Sequence, residues 1–238
     1  MRINKYIASS GMCSRRQAEK LILDGKVEVN GKVLTDLAFD VSGNDYVEVD
    51  GQEIMPVTNF IYLAMHKPKA CVCTNSDEHG RRTVFDLLPP KYNGIKLFCV
   101  GRLDYNTEGL LILTNDGAVA ESVTHPSSEV YKKYIARVEG ELTKQDVSAL
   151  RKGVMVDGKP TAPAQVKVLG VTDGKTRVEI AIHEGRNRQV RKMFEAINKS
   201  VDFLVRKSIG AINLGGLKRG DTRELTRDEI RYLKGLTK

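Results

Sequence analysis

One carboxylate of the chain stands on a loop that leaves a strand, where catalytic groups are often found. The apolar residues 96–100 predict a strand, and Gly101-Arg102-Leu103-Asp104 follows it directly. A scaffold holds such a carboxylate while leaving it open to a substrate. Asp104 is therefore a candidate catalytic group, although an aspartate here could also close a turn or cap a helix, which is its commoner use.

A second candidate stretch, Tyr131-Lys132-Lys133-Tyr134, combines aromatic rings and ammonium groups at the start of another predicted strand. A tyrosine among lysines can stack on a base while the cations hold phosphates. Tyr134 is also in phase with Ala136 and Val138, so its ring could pack in the core. Both roles are compatible, because a ring at the edge of a core can line a pocket.

A third stretch, residues 184–194, crowds cations at the start of a predicted helix. Arg186, Arg188 and Arg191 fall within six residues, and Lys192 lies on the outer face of the helix. Such a cluster suits an anion site or a partner for a buried carboxylate. The opposite face has the helical spacing of a surface that docks on a core, with Val190, Met193, Phe194 and Ile197.

Metal, nucleotide and triad chemistry have no sequence pattern here. The four histidines are isolated, and Cys71-Val72-Cys73 lacks the spacing of a C-x-x-C pair. The chain has neither a P-loop nor a convincing G-x-G-x-x-G, and no serine lies in a nucleophile elbow. We therefore expect no metal and no cofactor.

The charge of the chain is concentrated at its two ends. The 238 residues hold 38 Lys and Arg against 30 Asp and Glu, a net charge of +8. Residues 185–238 hold 14 basic and 6 acidic side chains, and residues 1–23 hold 5 basic and 1 acidic. Two basic zones favour a nucleic-acid partner. The sequence shows no signal peptide, no apolar run of ~20 residues and no disulfide framework, so we expect a cytoplasmic protein.

The N-terminal basic zone belongs to a small predicted module of two helices and two hairpins. Ser14 and Gln17 have the spacing of a capping box for the second helix. Asn30-Gly31 and Asp50-Gly51 predict tight hairpin turns. The five cations of this zone are Arg2, Lys5, Arg15, Arg16 and Lys20. Pro56 and its neighbours indicate a boundary, so we predict one domain over residues 1–58 and a second over residues 59–238.

In the second predicted domain, strands outnumber helices and do not alternate with them strictly. This pattern predicts a mixed, mostly antiparallel β-sheet with flanking helices, so the fold class is α+β.

Residues 2–7, 11–18 and 25–31 resemble the alpha-L RNA-binding motif shared with ribosomal protein S-four, which grips structured RNA largely through shape and phosphates. Nearly the whole chain resembles the RsuA family of ribosomal RNA pseudouridine synthases. The matching segments, in order, are Met65-His66-Lys67-Pro68, Val100-Gly101-Arg102-Leu103-Asp104, Thr107-Glu108-Gly109-Leu110-Leu111, Thr114-Asn115-Asp116-Gly117, His125-Pro126-Ser127, Tyr134, residues 184–193, Ile209-Gly210 and Leu225-Thr226. Ala70 and Arg188 depart from the family pattern, which often has Gly and His there.

The resemblance implies that a uridine is isomerised: the N1–C1′ bond breaks, the uracil rotates, and C5 bonds to C1′. The essential aspartate of the family maps to Asp104, which attacks the ribose or the base or removes a proton; these alternatives stay open. Tyr134 maps to the tyrosine that stacks on the uracil, and Arg191 to the basic residue that pairs with the aspartate. Arg102 maps to a position that fills the gap of the flipped base, and Leu204 to the pocket leucine.

We therefore predict a pseudouridine synthase for one uridine of ribosomal RNA, with the large subunit favoured by residues 125–134 and 185–192. Beyond the catalytic set, the predicted RNA-binding residues are Arg102, Leu204, Arg186, Arg188, Lys192, Arg2, Lys5, Arg15, Arg16 and Lys20. The alternatives are a small-subunit enzyme, a transfer RNA enzyme, and a ribosome-assembly factor that binds RNA without catalysis. The expected partner is ribosomal RNA or a pre-ribosomal particle. We expect the protein to act as a monomer and to have no membrane partner.

Overall fold

A computed structural model describes residues 1–237; Lys238, the last residue of the predicted second domain, lies outside the described residues. The chain forms two compact units. The first comprises Met1–Ile61 together with the short segments Gly94–Leu97 and Asn115–Gly117, and the second comprises the remaining residues. Within the described residues, no helix is long and apolar enough to cross a membrane.

Local sequence signals explain the first unit. Its elements are α1 (Ile3–Ser9), α2 (Arg15–Leu23), β1 (Val27–Val29), β2 (Lys32–Val33), β3 (Val47–Val49) and β4 (Gln52–Glu53). The strands form one sheet in the order β2-β1-β3-β4. Ser14 and Gln17 make both hydrogen bonds of the predicted capping box. Both predicted turns, Asn30-Gly31 and Asp50-Gly51, have the positive φ values that tight hairpins require.

The second unit is built on a nine-stranded sheet. Its first strands are β5 (Tyr62–Lys67), β6 (Phe98–Val100), β7 (Glu108–Thr114) and β8 (Lys132–Glu139). A separate two-stranded hairpin follows, with β9 (Met155–Val156) and β10 (Lys159–Pro160). The later strands are β11 (Gln165–Thr172), β12 (Lys175–Ile182), β13 (Val201–Ile209), β14 (Ile212–Asn213) and β15 (Thr222–Glu224).

The strand order of this sheet is β11-β12-β8-β13-β7-β5-β15, with β6 paired to β7 and β14 paired to β13. All pairs are antiparallel except β13 with β7. The predicted mixed, mostly antiparallel sheet is thereby confirmed. The single parallel pair joins the strand after the Asp104 loop to the strand that carries Leu204.

Helices cover both faces of the sheet, and each face has its own core. The helices are α3 (Gly117–Thr124), α4 (Lys144–Lys152), α5 (Gln189–Glu195) and α6 (Arg227–Gly235). One core joins Tyr134 and Leu204 to α4 and α5, and the other joins Val205 to α3 and α6. Side chains of β8 and β13 therefore alternate between the two cores, as their period of two requires.

Two of the longer elements of the second unit, β13 and α6, were not predicted from the sequence, and neither were the short strands β9, β10, β14 and β15. The strand β13 lies in the middle of the sheet, but Asp202, Arg206 and Lys207 interrupt its apolar pattern. The helix α6 has the Thr226 and Glu229 capping box and packs through Leu233.

Candidate active site

The loop between β6 and β7 fixes the backbone of Asp104. Its side chain is half-buried, whereas Leu103 is buried in the core below the loop. The Thr107 N–H donates to the Asp104 carbonyl oxygen at 3.0 Å, which closes a turn. Lys67 at the end of β5 is fully buried, and its Nζ donates to the carbonyl oxygens of Pro68, Asp104 and Thr107 at 2.9, 3.1 and 2.9 Å. One ammonium group therefore holds both ends of the Asp104 turn.

Asp104 borders a pocket of about 140 Å³ at the edge of the core that contains α5. Tyr134 and Leu204 line the same pocket and are 8% and 3% exposed. Tyr134 thus belongs to the core and to the pocket wall at once, as the two compatible roles require. Among the other side chains that line the pocket are Arg102, Thr107, Lys132, Gln189 and Arg206. The pocket combines a carboxylate, an aromatic ring and several cations, which suits a single polar, flat ring of a polyanionic substrate.

A wider groove of about 410 Å³ adjoins the pocket. Four arginines line it, Arg81, Arg102, Arg186 and Arg188, and Asp104 borders both cavities. The exposed side chains of Arg102 and Arg188 can follow a phosphate backbone that leads to Asp104. The groove therefore gives a nucleic-acid strand a path to the carboxylate.

Arg191 does not form the expected pair with Asp104. Its Nη1 donates to the Val201 carbonyl oxygen at 2.7 Å, and its Nη2 donates to the Asn106 carbonyl oxygen at 3.1 Å. No salt bridge joins Arg191 to Asp104 in the described structure. Burial lowers the pKa of the Arg191 guanidinium, and the Asp104 charge opposes that shift from a longer distance. The side chain instead ties α5 to the Asp104 loop and to β13.

Two other predicted RNA-binding cations are engaged within the protein. Arg186 forms a 2.9 Å salt bridge with Glu184 and donates to the carbonyl oxygens of Lys159 and Pro160. Lys192 forms a 2.6 Å salt bridge with Asp157 and does not line the pocket. Arg188 is freer: its nearest carboxylate oxygen, on Glu195, is 3.9 Å away. Of the three, Arg188 is the best placed to contact a phosphate.

The N-terminal cations belong to the first unit. Arg15, Arg16 and Lys20 lie exposed on α2, and none has a salt bridge among residues 1–237. Arg2 is 3.4 Å from a carboxylate oxygen of Asp40, and Lys5 is half-buried.

Arg206, Gln189 and Lys67 also build the site but had no role assigned from the sequence, whereas Lys132 belongs to the stretch whose cations were expected to hold phosphates. Arg206 is a buried arginine of β13, 4% exposed. Gln189 occupies a core-facing position of α5, four residues before Met193, and is 3% exposed. For Gln189, a polar residue at an apolar position of the predicted helix was the available signal, because buried polar groups need partners. Arg206 gave no such signal, because β13 was not predicted as a strand.

Burial and neighbouring charges shift several pKa values around the pocket. Burial lowers the pKa of the Lys132 ammonium to about 8, and the nearby Arg206 adds to the effect. Burial also lowers the pKa of Lys67. Below the loop, the hydrogen bond from the Cys99 thiol lowers the pKa of Cys73 to about 6, and the same contact raises the pKa of Cys99. The Leu103 N–H donates to Cys73 Sγ at 3.4 Å, so this thiol pair lies against the loop.

Among residues 1–237, no group of three His, Cys, Asp or Glu side chains could hold a metal ion.

Comparison with protein families gives two matches. A family described as RNA pseudouridylate synthase matches residues 61–196, which is more than half of the chain. A family described as S4 domain matches residues 1–47. The first match contains Asp104, Tyr134 and Arg191, and the second contains the cations of α2.

Several known proteins are similar over nearly the full length. The chain is 43% identical to the ribosomal large subunit pseudouridine synthase B of Bacillus subtilis, over 99% of this chain and 96% of that protein. It is 37% identical to the protein of the same name from Salmonella typhimurium, over 99% and 82%. A crystal structure of a pseudouridylate synthase superposes with a TM-score of 0.72 at 31% identity, covering 98% of this chain and 99% of the other.

Proposed function

Because the chain belongs to the RNA pseudouridylate synthase family, we propose that it converts one specific uridine of large-subunit ribosomal RNA to pseudouridine. The observation that carries the proposal is Asp104, a carboxylate held at the border of a pocket suited to one base and reached by an arginine-lined groove. The names of the two full-length relatives support the large subunit as the source of the substrate.

In this mechanism the target uridine leaves its helix and enters the pocket. Flipping costs a few kcal/mol, which phosphate contacts along the groove offset. The Tyr134 ring stacks on the uracil, Leu204 forms the apolar wall, and Arg102 occupies the space that the base leaves. Arg188 contacts the backbone outside the pocket.

Asp104 acts on the bound nucleotide, and the reaction conserves all atoms. The N1–C1′ bond breaks, the uracil turns, C5 bonds to C1′, and the proton released from C5 balances the proton gained at N1. Lys67 keeps the Asp104 turn in place through three carbonyl oxygens. Arg191 supports the same loop through Asn106 and attracts the Asp104 charge from a longer distance.

We further propose that one chain acts alone, in the cytoplasm, on ribosomal RNA or a pre-ribosomal particle. The support is that one chain supplies all the residues that line the pocket. The cations on α2, in the segment that matches the S4 family, would hold structured RNA.

The test is to map pseudouridines in ribosomal RNA from a strain that lacks the gene. One large-subunit pseudouridine should be missing, and the wild-type gene should restore it. Asp104→Asn preserves the size of the side chain and removes its charge, so this variant should bind RNA and restore nothing. Tritium release from 5-labelled uridine gives the same comparison in vitro. If the missing pseudouridine lies in small-subunit RNA, the substrate is the small subunit and the large-subunit proposal is wrong. Substantial turnover by Asp104→Asn would exclude Asp104 as the catalytic group.

A further inference from the structure

Three polar side chains of the pocket have a buried atom without a hydrogen-bond partner. They are Thr107, Gln189 and Arg206, which are 2%, 3% and 4% exposed. The unpartnered atoms are Thr107 Oγ1, Gln189 Nε2 and Arg206 Nη2. A buried donor or acceptor without a partner is destabilising, so native proteins rarely leave one without a reason. Three in one pocket indicate that a bound molecule supplies the partners.

The amide of Gln189 has a defined orientation. Its Oε1 accepts from the Arg186 backbone N–H at 2.9 Å, so the opposite end of the amide carries the free NH₂ donor. Gln189 stands in α5, whose next residues Val190 and Met193 are buried in the core. The donor is therefore held by a packed helix and cannot turn without breaking the bond to Arg186.

The guanidinium of Arg206 is held just as firmly. Its Nε donates to the Leu110 carbonyl oxygen at 2.7 Å, and its Nη1 is 3.5 Å from the Tyr134 hydroxyl. These contacts occupy two of its three nitrogens and leave Nη2. The free donor thus belongs to a side chain that touches the aromatic ring proposed to stack on the base.

The uracil edge has the complementary pattern. O2 and O4 accept hydrogen bonds, and N3–H between them donates. Two fixed N–H donors match the two carbonyl oxygens, and the Thr107 hydroxyl can accept from N3–H. Cytosine has an amino group in place of O4, which would face a donor and leave both groups unpaired. A site built this way rejects the wrong base more strongly than shape alone can.

The same pattern also suits the rotation of the base. Turning uracil by half a turn about its N3–C6 axis exchanges N1 with C5 and exchanges O2 with O4. The edge therefore presents acceptor, donor and acceptor both before and after the turn. A pocket that supplies two donors and one hydroxyl acceptor can satisfy this edge in both orientations.

We infer that Gln189 and Arg206 each donate a hydrogen bond to one carbonyl oxygen of the target uracil and thereby select uridine over cytidine. This inference rests on the proposed function, because it names the groups that recognise its substrate.

The experiment compares two variants of Gln189 on chosen RNAs. Gln189→Glu keeps an oxygen for the Arg186 N–H and removes the donor, whereas Gln189→Met removes both. The RNAs are one fragment around the mapped uridine, with uridine, cytidine, 2-thiouridine or 4-thiouridine at the target. The last two weaken the acceptor at the O2 or the O4 position and keep the N3–H donor. Dissociation constants are measured for each protein and RNA.

Wild type should bind uridine at least tenfold more tightly than each altered base. For Gln189→Glu, the preference for uridine over one of the two analogues should vanish, because the variant lacks the N–H donor that binds the carbonyl oxygen altered in that analogue. The preference for uridine over cytidine should fall about tenfold. Because preferences are ratios within one variant, a uniform loss of folded protein cancels. Arg206→Lys should reduce the preference for uridine over the analogue altered at the other carbonyl oxygen. If the Gln189 variants fail to fold, this variant tests the inference on its own.

If Gln189 only supports the Arg186 loop, Gln189→Glu will keep the wild-type preferences and Gln189→Met alone will be impaired, which would overturn the inference. Equal losses on all four RNAs would overturn it as well. The proposed function fails separately, when the wild-type protein forms no pseudouridine.

Discussion

Arg191 is a buried arginine whose contacts are to backbone rather than to a carboxylate. Its Nη1 and Nη2 donate to carbonyl oxygens at the start of β13 and at Asn106 of the Asp104 loop. The side chain therefore acts on Asp104 mainly through the position of the loop. A charge in the same place without the two hydrogen bonds would not replace it.

This geometry gives a prediction that separates charge from position. Arg191→Lys keeps the charge but cannot reach both carbonyl oxygens, so kcat should fall at least tenfold with little change in RNA affinity. Arg191→Met should lose a similar rate and about 1–3 kcal/mol of unfolding free energy, because buried carbonyl groups lose a partner. Single-turnover rates and urea unfolding measure the two effects. A wild-type rate for Arg191→Lys would show that the charge alone matters.

Lys132 gives a pH-dependent contribution to stability. Its ammonium has a pKa of about 8 in the folded chain, against 10.5 without burial. Below pH 8 both states are protonated and the full cost of the buried charge is present. Between pH 8 and 10.5 the unfolded chain binds more protons, so this group makes stability rise with pH.

Lys132→Met should remove that rise. At pH 7 the variant should gain up to about 3 kcal/mol relative to wild type, and the difference should shrink as pH approaches 10.5. Lys133→Met on the exposed side of β8 is the matched control for the loss of a lysine from the same strand. Urea unfolding of the three proteins at several pH values measures the differences. A difference that stays constant with pH would contradict the lowered pKa.

At the scale of elements, the parallel pair of β7 and β13 depends on one glycine. Gly109 has a φ of +117°, and a Cβ there would contact the backbone oxygen of Arg206 at 2.3 Å. No side chain fits, because the two backbones approach at this point. The pairing in turn places Arg206 beside Leu110 and Tyr134.

Gly109→Ala should therefore lower the unfolding free energy by at least about 2 kcal/mol, from strain and from displacement of β13. Its activity should also fall, because Arg206 moves with the strand. Gly174→Ala is the control: its φ is also positive, but nothing lies within 4 Å of the added Cβ. Thermal unfolding and tritium release measure both effects, and equal losses for the two variants would exclude the close approach as the cause.

At the scale of the whole molecule, we expect RNA affinity and catalysis to depend on separate parts of the chain. The cations of α2 belong to the first unit, whereas the pocket belongs entirely to the second. Replacing Arg15, Arg16 and Lys20 with Gln should weaken RNA binding and flatten the slope of log affinity against log salt by about 2–3. The rate at saturating RNA should stay unchanged. An unchanged slope would exclude phosphate contacts by α2.

Short-range features of this protein were determined by the sequence itself. The Ser14 capping box and the Asn30-Gly31 turn formed as predicted, because their hydrogen bonds and φ preferences involve residues only a few positions apart. The ordered motifs around Asp104 and Tyr134 indicated the family correctly, since many short matches in one order rarely arise by chance. The domain boundary after residue 58 and the roles of the site residues stay predictions.

The partners of charged groups and the central strand were decided only by the tertiary structure. Arg191 donates to carbonyl oxygens of β13 and of the Asp104 loop. Lys67 donates to carbonyl oxygens of the same loop, 37–40 residues along the chain. The strand β13 was not predicted, because its polar residues interrupt the apolar pattern. Whether those residues are buried depends on neighbours far along the chain. Hydrophobic periodicity records which face is buried, whereas the choice among several possible hydrogen-bond partners depends on distances that only the folded chain defines.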